Sequence, residues 1–172
     1  MPIIAAIMSI LAGATAADAG PLAPAAEGMV QCYEPDDLAR TCRSIAGYRL
    51  ITGGTYANDA AVLISPTKNV ILEITSPVEV KNGAVCGTAR AKDVLDGRLR
   101  AAGSLVPQDK AAPALAQLVT ALAAIIDKEV CTFYTPKDGV FIARASIDGI
   151  DRPELNQRVK WIKPSEGYKV SP

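Results

Sequence analysis

Short apolar and alternating runs, separated by turn residues, fill much of the chain after residue 56. The clearest pair lies at residues 78–81 and 84–88, on either side of Asn82-Gly83. Asn-Gly between two strand-like runs is the strongest short-range signal for a hairpin, because a type I′ turn needs positive φ at both central positions. The pattern therefore predicts an antiparallel hairpin here. Further strands are predicted at residues 60–64, 70–75, 98–100 and 104–106.

The same type of pattern returns near the carboxyl end of the chain. Runs at residues 130–134 and 140–145 flank a turn that contains Gly139, a residue suited to the left-handed position of a hairpin loop. Residues 158–161 alternate, which predicts a last strand with Val159 and Trp161 on its inward face. We expect this second group of strands to join the same sheet as the first.

Between the two groups of strands, residues 109–128 have a helical period. Asp109 suits the N-cap, and the apolar residues that follow recur three and four positions apart in a single stripe. Residues 91–95 predict a separate helical turn. Together these elements predict an α+β fold, a mainly antiparallel β-sheet with one long amphipathic helix packed on one face. The apolar stripe consists of Leu115, Leu118, Val119, Leu122, Ile125 and Ile126.

The amino terminus has the pattern of a secretory signal peptide. Residues 3–12 are apolar except for Ser9, and two A-x-A sites follow, ending at Ala16 and Ala19. An apolar run of about 10 residues before such a site is typical of a signal peptide and is too short for a permanent membrane span. We therefore predict a signal peptide at residues 1–19, with cleavage after Ala16 or Ala19, and a periplasmic or secreted protein.

The rest of the chain is long enough for one domain with its own core. Residues 20–28 are rich in Pro, Ala and Gly, which predicts a flexible leader. Residues 29–172 are then expected to form a single domain.

Composition excludes several kinds of chemistry. Among its 172 residues the chain has no His, which removes the Ser-His-Asp, Cys-His and HExxH sites. It has 18 Lys and Arg against 18 Asp and Glu, and this balance argues against a nucleic-acid binder. We expect no bound cofactor or metal, and an enzyme is the less favoured interpretation.

Four cysteines predict two disulfides. An even number of cysteines in a small exported domain is typical of a disulfide-stabilised fold, and four cysteines allow three connectivities. We favour Cys32 with Cys42, which closes a short local loop, and Cys86 with Cys131, which joins strands on either side of the helix. A zinc site is the alternative, but the paired short spacings of Cys₄ sites are absent.

Carboxylates are the remaining conventional acid–base groups. Glu73 is the one acid in the apolar run 70–75, so a glycosidase-type pair with Asp59 or Asp138 is one hypothesis. The favoured interpretation places Glu73 on the exposed face of an antiparallel strand. A small carboxylate-dependent, glycan-directed hydrolase is therefore the alternative function.

Basic and aromatic side chains offer a weaker signal for binding. A surface patch of cations could hold an anionic glycan or an acidic partner, although interspersed acids favour ordinary solvated surface. Tyr33, Tyr48, Tyr56, Tyr134 and Trp161 could line a ligand groove, but we interpret them as core residues. The candidate cations are Arg40, Arg43, Arg98, Arg100, Arg158 and Lys160.

Three short stretches resemble uncharacterised small exported proteins of alphaproteobacteria. They are Cys32-Tyr33-Glu34-Pro35 with the nearby Thr41-Cys42-Arg43, Val85-Cys86-Gly87-Thr88, and Arg158-Val159-Lys160-Trp161. The resemblance implies a location in the cell envelope and no particular activity. The sequence thus favours an exported, non-catalytic binding, inhibitor or envelope-interaction module, whose partner is an unknown envelope protein or glycan.

Overall fold

The computed structural model describes residues 20–172, of which 49 % lie in strands. The strands are β1 (Val30–Tyr33), β2 (Thr41–Cys42), β3 (Ser44–Leu50), β4 (Thr55–Ser65), β5 (Val70–Lys81), β6 (Ala84–Thr88), β7 (Arg98–Ala101), β8 (Ser104–Leu105), β9 (Glu129–Lys137), β10 (Val140–Ile147), β11 (Ile150–Asp151), β12 (Gln157–Ile162) and β13 (Lys169–Val170). The helices are α1 (Ala23–Ala26), α2 (Ala91–Leu95) and α3 (Gln108–Ala121), with 3₁₀ turns at Pro153–Leu155 and Pro164–Glu166. The predicted signal peptide, residues 1–19, lies outside the described residues.

Eight strands close into an antiparallel β-barrel. Around the barrel the order is β4, β3, β1, β12, β10, β9, β6 and β5, and β5 pairs back onto β4. Each strand therefore lies beside the strands that precede and follow it among the eight. The first of them, β1, pairs with the last, β12, through Val30–Ile162 to Tyr33–Val159. Closure of this kind leaves few free strand edges in the wall.

The predicted α+β fold is therefore wrong. In the predicted fold, a helix would bury the apolar face of the sheet. Here the sheet instead curls into a barrel, and its inward face is buried against itself. Only 21 % of the described residues are helical. The strands before and after the helical region do share one sheet, as predicted, but that sheet closes into the barrel.

The long amphipathic helix predicted at residues 109–128 is also absent. Helix α3 ends at Ala121, and among its residues Ala111 and Leu115 are buried. Beyond it the chain turns, and the backbone N–H of Asp127 donates to the carbonyl of Ala89 at 2.8 Å. This departure is needed because β9 must begin at Glu129 beside the end of β6. The apolar residues 122–126 consequently leave the helical stripe.

One side of the barrel wall is split. Strand β5 pairs with β7 through residues 70–73 and with β6 through residues 79–81. Between these pairings, residues 74–78 have β4 as their only strand neighbour within the described chain. Pro77 lies in this split. Proline has no N–H to donate, and at this position no neighbouring strand requires that hydrogen bond. The segment between β6 and β9, which contains α2 and α3, covers it.

A tight approach of β6 to β5 marks the edge of this split. A Cβ atom on Gly87 would lie 2.9 Å from the carbonyl oxygen of Pro77 and 2.9 Å from Cγ1 of Val78. Only glycine therefore lets the two strands approach this closely at the point where they diverge.

Both predicted disulfides are confirmed. Cys32 is bonded to Cys42 and Cys86 to Cys131, whose Cα atoms lie 4.0 Å apart at directly opposite positions of β6 and β9. Two disulfides are typical of proteins that fold in an oxidising environment. None of the helices between residues 20 and 172 combines the length and apolar content needed to cross a bilayer.

The segment predicted as a leader contributes to the core. Residues 20–28 contain a 3₁₀ turn and α1, and Leu22 is 1 % exposed. Leu22 packs with Tyr48, Val78 and Val85, whose side chains face the barrel interior. The packed structure thus begins before residue 29, because the barrel interior has room for an additional apolar side chain.

Candidate functional site

A cavity of about 270 Å³, which is partly open to solvent, is formed by inward-facing residues of the barrel next to the split between β5 and β6. Its apolar wall comes from inward-facing strand residues and from the turns that follow α3. Its polar groups come from three tyrosines, three short hydroxyl side chains, an asparagine and one ion pair. The apolar lining includes Ile74, Val78, Val85, Val94, Leu122, Ile125, Ile126 and Val130, and the polar lining includes Tyr33, Tyr48, Tyr134, Asn58, Ser76, Thr132, Arg90 and Asp93.

The three tyrosines converge on one buried amide. Gln31 on β1 is fully buried, and its Oε1 accepts hydrogen bonds from Tyr33 and from Tyr48, each at 2.8 Å. The hydroxyl of Tyr134 lies 2.9 Å from that of Tyr33 and 3.2 Å from the same Oε1. Burial raises the pKa of Tyr33 and of Tyr48 well above the ordinary value, so both remain protonated phenols.

Strand register explains why these side chains meet. Gln31 lies opposite Ala46 on β3 and opposite Trp161 on β12, and Tyr33 is two residues further along the same face. Tyr48 is likewise two residues beyond Ala46. Because side chains alternate across a strand, these residues share the inward face, and the small side chain of Ala46 leaves space for the tyrosine rings.

Asn58 adds a further polar group to the cavity wall. It lies opposite Tyr48 on one side and Ser76 on the other. Its Oδ1 is buried and has no hydrogen-bond partner among the described residues. A buried carbonyl oxygen without a partner is costly, because it has lost its hydrogen bonds to water.

An ion pair lies at the helical side of the cavity. Arg90 donates from Nη2 to Oδ1 of Asp93 at 2.6 Å and from Nε to Oδ2 at 3.0 Å. Asp93 belongs to α2 and is 8 % exposed. The hydrogen bonds to Asp93 raise the pKa of Arg90 above its ordinary value. Both charges of the cavity lining are thus matched to each other.

The structure divides the aromatic residues between two roles. All five aromatic residues belong to the core cluster or pack against it, as the favoured core interpretation expects, and Tyr33, Tyr48 and Tyr134 also line the cavity. Tyr56 and Trp161 have the core role alone, since they are absent from the cavity lining.

Two of the candidate acids, Asp59 and Glu73, line one groove of about 720 Å³ on the outer face, and each of them is paired with arginine. Glu73 accepts hydrogen bonds from Arg98 at 3.2 Å and from Arg100 at 2.6 Å. Asp59 accepts from Nε of Arg49 at 2.6 Å. Asp138 lies in the turn between β9 and β10. General-acid catalysis requires a carboxyl group held protonated in an apolar pocket, and the surroundings of Glu73 and Asp59 differ from this.

The pKa of Asp59 offers a test of this charge pairing. The hydrogen bond from Arg49 lowers the pKa of Asp59 below its ordinary value, and Thr75 adds a second hydrogen bond at 2.7 Å. Ionised Asp59 therefore stabilises the fold at pH values above the pKa of an unfolded aspartate. This stabilisation is lost as the pH falls through the lowered pKa of Asp59 in the folded protein. We expect Arg49→Ala to raise the pKa of Asp59, as measured by NMR titration of the carboxyl carbon.

Arg144→Ala is the matched control for this titration, because Arg144 pairs with Asp151 instead. An Asp59 that titrates at the ordinary aspartate pKa in the unmodified protein would contradict the charge pairing.

The candidate cations are distributed among separate partners. Three of them surround the loop at residues 34–40, where Arg40 donates to the carbonyl of Glu166, Arg158 pairs with Glu34, and Lys160 pairs with Asp37. Arg98 and Arg100 lie on β7 and pair with Glu73. Arg43 is exposed between β2 and β3. The structure therefore does not bring all six cations together.

One group of potential metal ligands lies within the described residues. The ligand atoms of Cys86, Glu129 and Cys131 are within 4.8 Å of one another. The two sulfur atoms are bonded to each other in a disulfide, so they are not available as thiolate ligands.

The sequence analysis did not predict that several polar residues face the barrel interior, because polar residues inside strands are common at solvent-facing positions. These residues are Gln31, Asn58, Ser76 and Thr132. One signal was present. Gln31 shares a strand face with Tyr33, and a polar residue beside an aromatic one on an inward face indicates an internal polar network.

No protein-family model, curated protein or solved structure matches this chain.

Proposed function

We propose that this chain is an exported, non-catalytic binding protein that holds one small, mainly apolar molecule inside its barrel. The observation that carries the proposal is the cavity of about 270 Å³, which combines an apolar wall with a few convergent polar groups. This combination is typical of ligand sites, where apolar surface supplies affinity and polar groups fix orientation.

The size of the cavity sets the size of the ligand. A protein cavity of about 150 Å³ holds one benzene molecule, so 270 Å³ accommodates about ten to twelve non-hydrogen atoms. An eight-stranded barrel is wide enough to be filled by side chains or to hold one small ligand. The small residues Ala46 and Ala143 face this interior and favour the second outcome.

Export is the second part of the proposal. The two disulfides are consistent with an oxidising compartment outside the cytoplasm. The signal-peptide pattern at residues 1–19 and the resemblance to small exported proteins support a periplasmic or secreted location. A soluble carrier or sensor of small apolar molecules fits that setting.

The binding of 2-naphthol, which has eleven non-hydrogen atoms, tests the proposal. We expect isothermal titration of the oxidised protein to give one site with a Kd on the order of 0.1 mM or tighter, because most of the apolar surface of the probe leaves water. Thr132→Phe places a phenyl ring in the cavity and should weaken binding at least about tenfold.

Thr135→Phe is the matched control, since Thr135 lies on the same strand but is exposed. Circular dichroism and thermal melts establish that both variants are folded, and Ser76→Phe replaces Thr132→Phe if that variant does not fold. Absence of 2-naphthol binding to the unmodified protein, or equal weakening by Thr135→Phe, would contradict the proposed site.

A further inference from the structure

Arg90 lies where the cavity meets the outer surface of the barrel. It borders both the cavity and a smaller pocket of about 200 Å³ beside it, and its side chain is 45 % exposed. The linings of these two spaces also share Pro77, Val78, Gly87 and Thr88, which lie where β5 and β6 diverge. A ligand in the cavity would therefore have one end close to a partly exposed guanidinium group.

The guanidinium group of Arg90 keeps free donors after it has bound Asp93. Nε donates to one oxygen of the Asp93 carboxylate, and one N–H of Nη2 donates to the other. A guanidinium group has five N–H donors, so three of them have no partner within residues 20–172. The free N–H groups of Nη1 and Nη2 form a parallel fork at the end of the side chain, and such a fork matches the two oxygens of a carboxylate.

Asp93 holds this fork in position. Its carboxylate is mostly buried and lines the same cavity, and its backbone N–H donates to the carbonyl of Arg90 at 3.1 Å. The guanidinium group is thus oriented before a ligand binds, which reduces the entropy that binding costs. A second carboxylate would use the end of the guanidinium group and leave Asp93 paired at its side.

The other charges near the opening are engaged with one another. Lys81 lines the smaller pocket, where its Nζ lies 2.8 Å from an oxygen of Glu129 and 3.9 Å from an oxygen of Glu79. These three side chains are about half exposed, so water and salt screen their charges. Among the charged groups that line the cavity and this pocket, Arg90 is therefore the one with a free fork.

We propose that the ligand is a small amphipathic carboxylate, whose apolar body occupies the cavity and whose carboxylate group binds the free fork of Arg90. The apolar body suits the wall of the cavity, while the carboxylate at the opening stays partly hydrated and avoids the full cost of burying an ion. Aromatic carboxylates and medium-chain fatty acids belong to this class. This inference rests on the proposed function, because it specifies the ligand of the same cavity.

The test compares 2-naphthoate with 2-naphthamide, which has nearly the same size and shape. 2-Naphthoate is ionised at pH 7, whereas the amide is neutral and presents a single oxygen. We expect isothermal titration of the oxidised protein to give about fivefold tighter binding of 2-naphthoate, because two charge-assisted hydrogen bonds at a partly exposed site replace one neutral contact.

Arg90→Met/Asp93→Asn assigns this preference to the fork. It removes the guanidinium group together with the buried charge that it balances, so the preference for 2-naphthoate should fall to about twofold or less. Arg49→Met/Asp59→Asn makes the same two changes in an ion pair on the outer face and should leave the preference unchanged. Circular dichroism and thermal melts establish that both variants are folded. If the first is not, Arg90→Lys, which keeps the charge but lacks the fork, should also reduce the preference.

The outcomes separate the two proposals. Equal binding of the two probes to the unmodified protein, or tighter binding of 2-naphthamide, would overturn the carboxylate contact and leave the cavity as a binding site. Binding of 2-naphthol without binding of either probe would have the same meaning. If none of the three molecules binds, the proposed function itself fails. A preference for 2-naphthoate that persists in a folded variant without the fork would exclude Arg90 as its partner.

Discussion

The double variant Cys86→Ala/Cys131→Ala loses about 4 kcal/mol in free energy of unfolding. The disulfide joins residues separated by 45 positions, and the unfolded chain without it gains the corresponding loop entropy. It also ties β6 to β9 at the two ends of the segment that contains α2 and α3. Urea denaturation of the purified oxidised protein, with linear extrapolation to water, measures the loss.

Cys32→Ala/Cys42→Ala is the matched comparison. Its disulfide spans 10 positions, so the smaller loop entropy corresponds to a loss of about 3 kcal/mol. The expected order follows from loop length alone. A loss below about 1 kcal/mol for the Cys86–Cys131 pair would contradict its role in holding the split barrel together.

Gln31→Leu is the second variant with a large effect, a loss of about 2 kcal/mol in free energy of unfolding. Leucine fills a similar volume in this fully buried position but accepts no hydrogen bond. The hydroxyl group of Tyr48 then loses its acceptor, at a cost of about 1–3 kcal/mol. Tyr33 still has the Tyr134 hydroxyl 2.9 Å away, and the substitution also removes the unpartnered Nε2 of Gln31. The same urea titration measures this loss.

Two further variants distinguish the network from a general effect of the substitution. Gln157→Leu makes the same change at an exposed position of β12 and should cost less than about 0.5 kcal/mol. In Gln31→Leu/Tyr48→Phe the orphaned hydroxyl group of Tyr48 is absent, so the loss should be smaller than the sum of the two single losses by about 1 kcal/mol. Strict additivity would show that the two side chains do not interact.

Local chemistry made the turns and disulfides predictable. The hairpin at Asn82-Gly83 is confirmed between β5 and β6, with φ of 50° and 80° at the two residues. That signal depends on two adjacent residues and needs no knowledge of the rest of the chain. The pairing of Cys86 with Cys131 was similarly accessible, because both cysteines lie in runs with a clear strand pattern.

Barrel closure was not predictable in this way. It depends on the pairing of β1 with β12, which lie more than 100 residues apart, as in the pair Gln31 and Trp161. Ser76-Pro77 was interpreted as the end of a strand, whereas β5 continues through it to Lys81. Proline is tolerated there because the barrel wall is split, and the split is a property of the closed structure.

The error at the helix has the same origin. The spacing of Leu115, Leu118, Leu122 and Ile125 is helical, but a period does not show which surface each residue covers. Leu115 packs with Leu72 and Leu99, while Leu122 and Ile125 line the cavity after the chain has left the helix. The requirement that β9 begin beside β6 outweighs the local helical preference of residues 122–126.

The cavity could be predicted only in part. Tyrosines on inward faces were recognised, and a ligand groove was one of their two interpretations. Their convergence on Gln31 required the register of β1 against β3, which brings Tyr33 and Tyr48 to the same amide. Register is a tertiary property, and a shift of one residue would move Gln31 to the outer face.

Crystallography of the oxidised protein soaked with a bromine-labelled 2-naphthol tests the central claim most directly, because anomalous scattering locates the bromine atom. The account predicts one bromine peak per protein molecule inside the barrel, between the tyrosines of the polar network and the turns after α3. A fully occupied peak on the outer surface together with an empty barrel interior would contradict it.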